Sequence, residues 1–204
     1  MGGKILDVGC GAGYLLSLFK EMGWETYGVE VSPLAGKIAK EKGINIYEGE
    51  LYETGLIDKY FDVIVLNHSL EHMYNPTKLL LEVNKILKDD GILIIGVPNI
   101  KSMEARIFKK NWGSIRAPQH LYHFSESTLN LLLDKCGFNL KKIWFDPNPE
   151  VLIWQIFGIK NKILKTRIKF FLYALLYPFT MILSKFNLSA NFIVTAKKNL
   201  KTKT

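Results

Sequence analysis

Ile5-Leu6-Asp7-Val8-Gly9-Cys10-Gly11-Ala12-Gly13-Tyr14-Leu15-Leu16 joins a short apolar run to a glycine-rich loop and then to the start of a helical pattern. The run from Ile5 to Val8 reads as a buried strand, and from Tyr14 onward Leu15, Leu18 and Phe19 recur on one helical face. Glycines between the two permit positive φ and let the backbone approach a ligand closely. A dinucleotide fingerprint spaces its glycines as G-x-G-x-x-G. Here Gly13 stands where that pattern leaves a free residue, and Tyr14 takes the place of its third glycine. The loop therefore reads as a ligand cradle built to another plan.

Working outward, strand and helix signals alternate, which predicts a parallel, doubly wound α/β sheet. Strands are predicted near residues 4–8, 25–30, 44–47, 61–66, 92–97, 139–145 and 191–197. Ser32-Pro33 opens a helix with a hydroxyl cap and proline at its first turn. Thr77 to Leu87 forms a second amphipathic helix closed by Asp90-Gly91, and a third runs from Ser125 to Cys136-Gly137. The chain is read as one domain over residues 1–204, with no linker or repeat dividing it. Residues 98–124 form a long connection of the kind that serves as a lid or substrate wall.

The 204 residues suit a single domain with a sizeable core. Cys10 and Cys136 lack C-x-x-C spacing, and no secretory signal precedes the first strand, so reduced thiols and a cytoplasmic setting are expected. The net charge of +8 is uneven: residues 141–204 hold 12 Lys and Arg against Asp146 and Glu150, leaving the remainder slightly acidic. That basic part is also apolar and aromatic, which favours an anionic lipid surface over nucleic acid.

Three further signals fall where strands end. Glu30 closes the second strand, Gly49-Glu50-Leu51 follows the third, and Asn67-His68-Ser69-Leu70-Glu71-His72 follows the fourth. Ligands in open α/β sheets gather outside the carboxyl ends of the strands. With the glycine loop, these motifs in this order resemble the class I S-adenosylmethionine-dependent methyltransferases, over residues 4–145 and the last strand. The resemblance implies a Rossmann-like, mostly parallel seven-stranded sheet with an antiparallel last strand and a helical insert before it. It implies S-adenosylmethionine as cofactor and S-adenosylhomocysteine as product. Asp7, Gly9, Cys10, Gly11 and Gly13 would then hold the methionine moiety, Glu30 with Val31 the ribose, Glu50 and Leu51 the adenine, and Asn67 and His68 the methyl end. At Glu50 the neighbours Glu48 and Glu53 are alternatives, and the Cys10 side chain reads as small packing rather than a nucleophile.

The run Pro118-Gln119-His120-Leu121-Tyr122-His123-Phe124-Ser125 is similar to one found in a bacterial branch of small-molecule methyltransferases. Histidine accepts a proton near neutral pH, which makes His120 and His123 candidates for the base that a hydroxyl acceptor needs. Both can equally fasten the lid by hydrogen bonds, and Arg116 can clamp an acidic acceptor or pair with a carboxylate. Glu71-His72 is similar to part of the Glu-x-x-Glu-His cation site of quinone-ring O-methyltransferases, but His68 replaces the first glutamate. Two adjacent ligands define no metal geometry, so no metal is expected.

Residues 151–190 read as a basic, apolar helical insert. Ile168 to Leu183 is nearly all apolar, flanked by Lys160, Lys162, Lys165, Arg167, Lys169 and Lys185 and interrupted by Pro178. At under about 20 residues it predicts an interfacial or re-entrant helix pair rather than a span, the alternative being helices that cover the sheet or form a dimer surface. Family members commonly carry helices ahead of the glycine loop, whereas only Met1-Gly2-Gly3 precede this strand, which implies an open pocket and weak cofactor affinity. The favoured acceptor is a hydroxyl on a sugar or lipid-linked glycan. A soluble metabolite or quinone-like ring comes next, and a scaffold that binds cofactor without turnover is the reading from another class. The segment after the fourth strand lacks the Pro-Pro-aromatic signature of amino-methylating members, which argues against a nucleic-acid substrate.

Overall fold

The computed structural model describes residues 2–157 and 162–200. Its strands are β1 (Lys4–Val8), β2 (Glu25–Glu30), β3 (Asn45–Glu48), β4 (Phe61–Asn67), β5 (Leu87–Pro98), β6 (Phe138–Asp146) and β7 (Asn191–Lys198). They form one sheet in the order β3-β2-β1-β4-β5-β7-β6. Strands β1 to β5 pair in parallel, and β7 slots antiparallel between β5 and β6. This is the mostly parallel, doubly wound sheet with an antiparallel last strand that the sequence predicts.

Side chains alternate across each strand with period two, and the two faces build separate cores. Leu6 and Val8 of β1 face a core shared with Ile64, Leu66, Leu93 and Ile95. Ile5 and Val65 face the other way, onto Leu16, Ala39 and Ile44. Helices α1 (Tyr14–Glu21) and α2 (Pro33–Glu41) cover this second face, while α3 (Pro76–Ile86) and α5 (Glu126–Lys135) bury Leu79, Val83, Leu129 and Leu133 in the first. In α1 the inward face is Leu15, Leu16 and Phe19; Leu18, expected on it, is exposed.

Caps set the helix starts. Ser32 Oγ accepts from Ala35 N with Pro33 at the first position, and Ser125 forms a capping box with Thr128. Asn75 Oδ1 accepts from Lys78 N, so α3 begins at Pro76 rather than Thr77. Its end differs too. Leu87 already pairs with Phe61, and the ladder resumes at Ile92 opposite Val63, which places Asp90-Gly91 in a bulge within β5 rather than at a helix end.

The connection after β5 is less open than a bare lid. It contains α4 (Met103–Phe108), capped by Ser102, and a 3₁₀ turn at Lys109–Asn111, with Trp112 buried behind them. Between β6 and β7 come α6 (Glu150–Phe157) and α7 (Lys162–Lys185). Pro178 lies inside α7 and does not end it, which corrects the expected break there. Lys160 lies outside the described residues.

Candidate functional site

Every strand-end motif singled out in the sequence arrives at the carboxyl edge of β1, β2, β3 and β4, because parallel strands pointing one way deliver their following loops to one side. The glycine loop divides its labour. A Cβ on Gly9 would meet Ser69 Cβ at 2.8 Å, and one on Gly13 would meet Ile44 Cδ1 at 2.4 Å and Ala39 Cβ at 3.0 Å. Those two glycines serve close packing. A Cβ on Gly11 would meet nothing within 4 Å, so the loop backbone is bare to a ligand at Gly11. Gly13 also caps α1 with φ 73°, a conformation glycine adopts without steric cost.

Amide hydrogens of the loop are tied to β2. Gly9 N and Cys10 N both donate to Val29 O, and Gly11 N donates to Glu30 Oε2 at 2.8 Å. Ser32 N donates to the other oxygen, Oε1, at 2.8 Å. Glu30, largely buried, is thus held rigid by one bond to each oxygen, with acceptor capacity left over on both. Val31 beside it is exposed. Asp7 is 5% exposed and its Oδ1 has no hydrogen-bond partner. Burial, reinforced by the charge of Glu30, pushes its carboxyl up to about 7. A buried carboxylate oxygen without a partner is an uncommon cost in a folded protein, and an incoming cationic donor would relieve it.

Cys10 does not face this opening. Its side chain is buried among Leu16, Ala39 and Ile44, and Gly28 of β2 leaves the room, since a Cβ there would lie 2.5 Å from Cys10 Sγ. Burial pushes the thiol up to about 12, so it is inert near neutral pH. Gly28 was not singled out in the sequence, although a glycine inside an otherwise apolar strand is a signal of close approach.

On the adenine side the structure departs from the expectation at Leu51. Leu51 is turned into the main core at 2% exposure and offers no free face to a ring. Glu50 caps the 3₁₀ turn Leu51–Glu53: its side chain accepts from the Glu53 amide, while Glu50 N donates to Glu53 Oε2 at 3.2 Å. One accepted bond leaves a carboxylate with acceptor capacity, which the half-buried Glu50 retains at this corner. Tyr52, with Lys78 Nζ 3.6 Å from its ring centroid, is the exposed aromatic at this corner.

Beyond β4, Asn67 is exposed and Gly96 of the neighbouring strand makes room for its Oδ1. His68 has φ 53°, an uncommon value for a non-glycine residue, and its amide donates to Gly96 O at 2.9 Å. His68 Nδ1 stands 3.4 Å from Glu71 Oε1. Glu71 is 1% exposed, and neither carboxylate oxygen is hydrogen-bonded. These residues border a cavity of about 600 Å³, whose walls include His68, Glu71, His72, His120, Arg116 and Trp154.

Lid and turn are joined through the backbone: Leu121 N and Tyr122 N both donate to Glu71 O, at 2.8 and 3.2 Å. This sets His120 edge-on to His72, with ring centroids 4.6 Å apart. His120 Nδ1 lies 2.7 Å from Ser114 O, and His72 Nδ1 lies 2.8 Å from Gln119 O. A carbonyl only accepts, so both Nδ1 atoms carry hydrogen, and in the neutral rings both Nε2 atoms keep a lone pair. Burial holds the His120 imidazole below the usual histidine value, against the upward pull of Glu71. His123 is exposed, with its ring 6.4 Å from that of His120, and is not among the residues lining the cavity. Of the two candidates, His120 alone reaches the cavity wall.

The cavity also draws in parts the sequence did not mark. Glu150, Val151 and Trp154 of α6 close its far side, and the Arg116 guanidinium carbon is 5.9 Å from the Trp154 ring centroid. Glu71, His72 and His120 bring one ligand atom each to within 4.8 Å of one another, a grouping that could hold a metal ion. The expectation of no metal rests on two adjacent ligands; the structure adds a third from 48 residues along the chain, beyond the reach of local spacing.

A family model described as a methyltransferase domain matches residues 1–143. A probable S-adenosylmethionine-dependent methyltransferase of Mycolicibacterium smegmatis is 26% identical over 143 residues, covering 69% of this chain and 53% of that protein. A ubiquinone biosynthesis O-methyltransferase of Pasteurella multocida is 32% identical over 195 residues, covering 78% of this chain and 80% of its own. The chain spans about half the length of several other curated relatives. Among solved structures, an S-adenosylmethionine-dependent methyltransferase from Archaeoglobus fulgidus superposes over 97% of this chain and 86% of its own, with a TM-score of 0.68 and 26% identity.

Proposed function

This chain belongs to the methyltransferase domain family, and from that premise we propose that it transfers a methyl group from S-adenosylmethionine to a hydroxyl of a small-molecule acceptor. The residues present suit the cofactor. Gly11 is open to a ligand, Asp7 Oδ1 has no partner and suits a cationic donor, and Glu30 is fixed at a strand end with acceptor capacity for ribose hydroxyls. When bound, S-adenosylmethionine supplies the electrophilic methyl.

Methyl transfer needs an in-line approach, so positioning in the cavity can supply much of the rate. A hydroxyl must also lose its proton. The observation that carries the hydroxyl reading is His120: Ser114 O fixes its tautomer and leaves the Nε2 lone pair, partial burial keeps it neutral near pH 7, and the residue lines the cavity. Distant similarity to ubiquinone O-methyltransferases supports the same chemistry. Titration calorimetry with S-adenosylmethionine and S-adenosylhomocysteine tests the cofactor; absence of heat for both refutes the enzyme reading. Radiolabelled donor supplied with fractionated cell extract then tests the acceptor, because label must enter a base-stable ether in one fraction.

A second reading rests on the buried carboxylate of Glu71, whose oxygens accept no hydrogen bond. With His72 and His120 it can ligate a divalent cation that polarises the acceptor hydroxyl in place of a protein base. Loss of activity on chelation and its return with magnesium or zinc would select this reading; activity indifferent to chelation selects His120 as base.

A further inference from the structure

Among the described residues, nothing covers one apolar face of α7. Leu172, Thr180 and Leu183 fall on one side of the helix and are buried. On the opposite side Phe171, Leu175, Pro178 and Ile182 follow one another at four- and three-residue steps, joined by Phe170 one residue away; all are exposed. Lys185 is the first charge on this side after Phe170. Of the stretch Ile168–Lys185, 17% is buried, which separates it from the core helix of a globular domain. A continuous apolar stripe of this kind marks an interaction surface.

Length and composition alone would let this helix cross a bilayer. Its tethers argue otherwise. Lys169 Nζ pairs with Glu150 Oε1 at 2.5 Å at the start of α6, and Thr180 Oγ1 donates to Pro147 O just beyond β6. Those anchors, about 16 Å apart along the helix axis, lay α7 flat along the domain, near the end of β6. A helix held along its side in this way cannot also stand across a hydrocarbon layer about 30 Å thick.

Charge identifies the occupant. From residue 151 to residue 204 the sequence carries no acid, while Lys160, Lys162, Lys165, Arg167 and Lys169 crowd one end of the apolar stretch and Lys185 the other. Bases bracketing an aromatic, apolar stripe fit a surface with phosphate headgroups above and hydrocarbon beneath. A second copy of the chain would bring the same excess of positive charge to its own partner face. We infer that α7 seats the domain on an anionic bilayer, its outer face in the headgroup and acyl boundary. Glu150 ties α7 to α6, and α6 walls the cavity, so the acceptor site is held beside the lipid surface. The surface stands by itself; only its use in reaching a lipid-borne acceptor rests on the methyl-transfer reading.

Flotation with vesicles of phosphatidylcholine alone, and of phosphatidylcholine with phosphatidylglycerol, tests the inference on the full chain. Binding to the anionic vesicles is expected to exceed binding to the neutral ones at least tenfold and to weaken with added salt. The double variant Phe171→Asp/Leu175→Asp, altered only at exposed positions, should lose that binding at least tenfold while its circular dichroism and cofactor titration match the wild type. Equal binding to both vesicles, or binding to neither, overturns the inference. So does a dimer in light scattering that the double variant dissolves without any vesicle binding, which would give the face to a second copy. Vesicle binding by a chain that takes up no cofactor upholds the surface and refutes the methyl-transfer reading, which keeps the two failures distinct.

Discussion

Replacing Asp7 with Asn should strengthen the fold and weaken the site, with a pH signature that identifies the cause. The carboxyl is 5% exposed, Oδ1 has no partner, and its pKa is raised from 3.8 to about 7, chiefly by burial and then by Glu30. Between about pH 4 and pH 7 the folded protein keeps the proton that the unfolded chain has released. Stability is therefore intact below that window and falls as pH climbs through it, levelling off above the folded pKa. A pKa difference of that size is worth on the order of 4 kcal/mol. Asparagine matches the neutral acid in shape and never ionises. At pH 8.5 Asp7→Asn should gain roughly 2–4 kcal/mol, or about 5–10 °C in Tm for a chain of this length. At pH 4 the two proteins should nearly coincide. The ionised carboxylate is what an ammonium wants, so cofactor affinity should drop by roughly 10- to 100-fold, the value of one charge-assisted hydrogen bond. Urea titrations at both pH values, with calorimetry at pH 8, measure all of this. A variant less stable than wild type at pH 8.5, or a gain of equal size at both pH values, would refute the account of Asp7 as a buried carboxylate awaiting a partner.

The two glycines of the loop should separate by assay. Gly13→Ala drives a Cβ to 2.4 Å from Ile44 Cδ1 at φ 73° and should cost about 1–3 kcal/mol in urea melts, whereas Gly11→Ala meets no atom and should show its larger effect in cofactor affinity. His120→Ala should lower methyl transfer by roughly 10²- to 10⁴-fold with cofactor binding unchanged. The wild-type rate should rise with pH and level off below the ordinary histidine pKa, since burial lowers that of His120; a plateau reached only well above pH 7 would remove it as the base.

The sheet was legible because its signals are local and repeated. Ile5 to Val8 is apolar, Gly13 must take a positive φ, and Ser32-Pro33 and Ser125 cap helices whatever surrounds them. Glu30 was legible for a related reason, since its place at the end of β2 follows from strand register alone. Side-chain direction was harder to read. Glu50 and Leu51 lie at the expected corner, but the Glu53 amide, three residues on, donates to the first and the core takes the side chain of the second. Cys10 turns inward because Gly28, 18 residues away, vacates the space. His120 and His123 looked equivalent in sequence until bonds from Leu121 and Tyr122 to Glu71 fixed which of them meets the cavity. Pro178 lacks an amide hydrogen, but one missing bond does not end a helix with turns formed on both sides.

The pairing of Asp146 with Asn191 across β6 and β7 has a consequence for how this fold can diversify. Directly opposed residues in an antiparallel ladder lie about 5 Å apart, so everything from residue 147 to residue 190 leaves the sheet and returns to it at nearly one point. That segment carries the far wall of the cavity and the helix assigned to the bilayer, and the strands holding the glycine loop end on the other side of β5. Exchange of α6 and α7 for another sequence would leave the ladder closed and Gly11, Asp7 and Glu30 in place. In the methyl-transfer reading, the donor's residues and the far wall of the acceptor cavity are thus carried by different stretches of the chain, which meet at that rung and at the bonds from Gly113 to Gln155 and from Asn99 to Ser189.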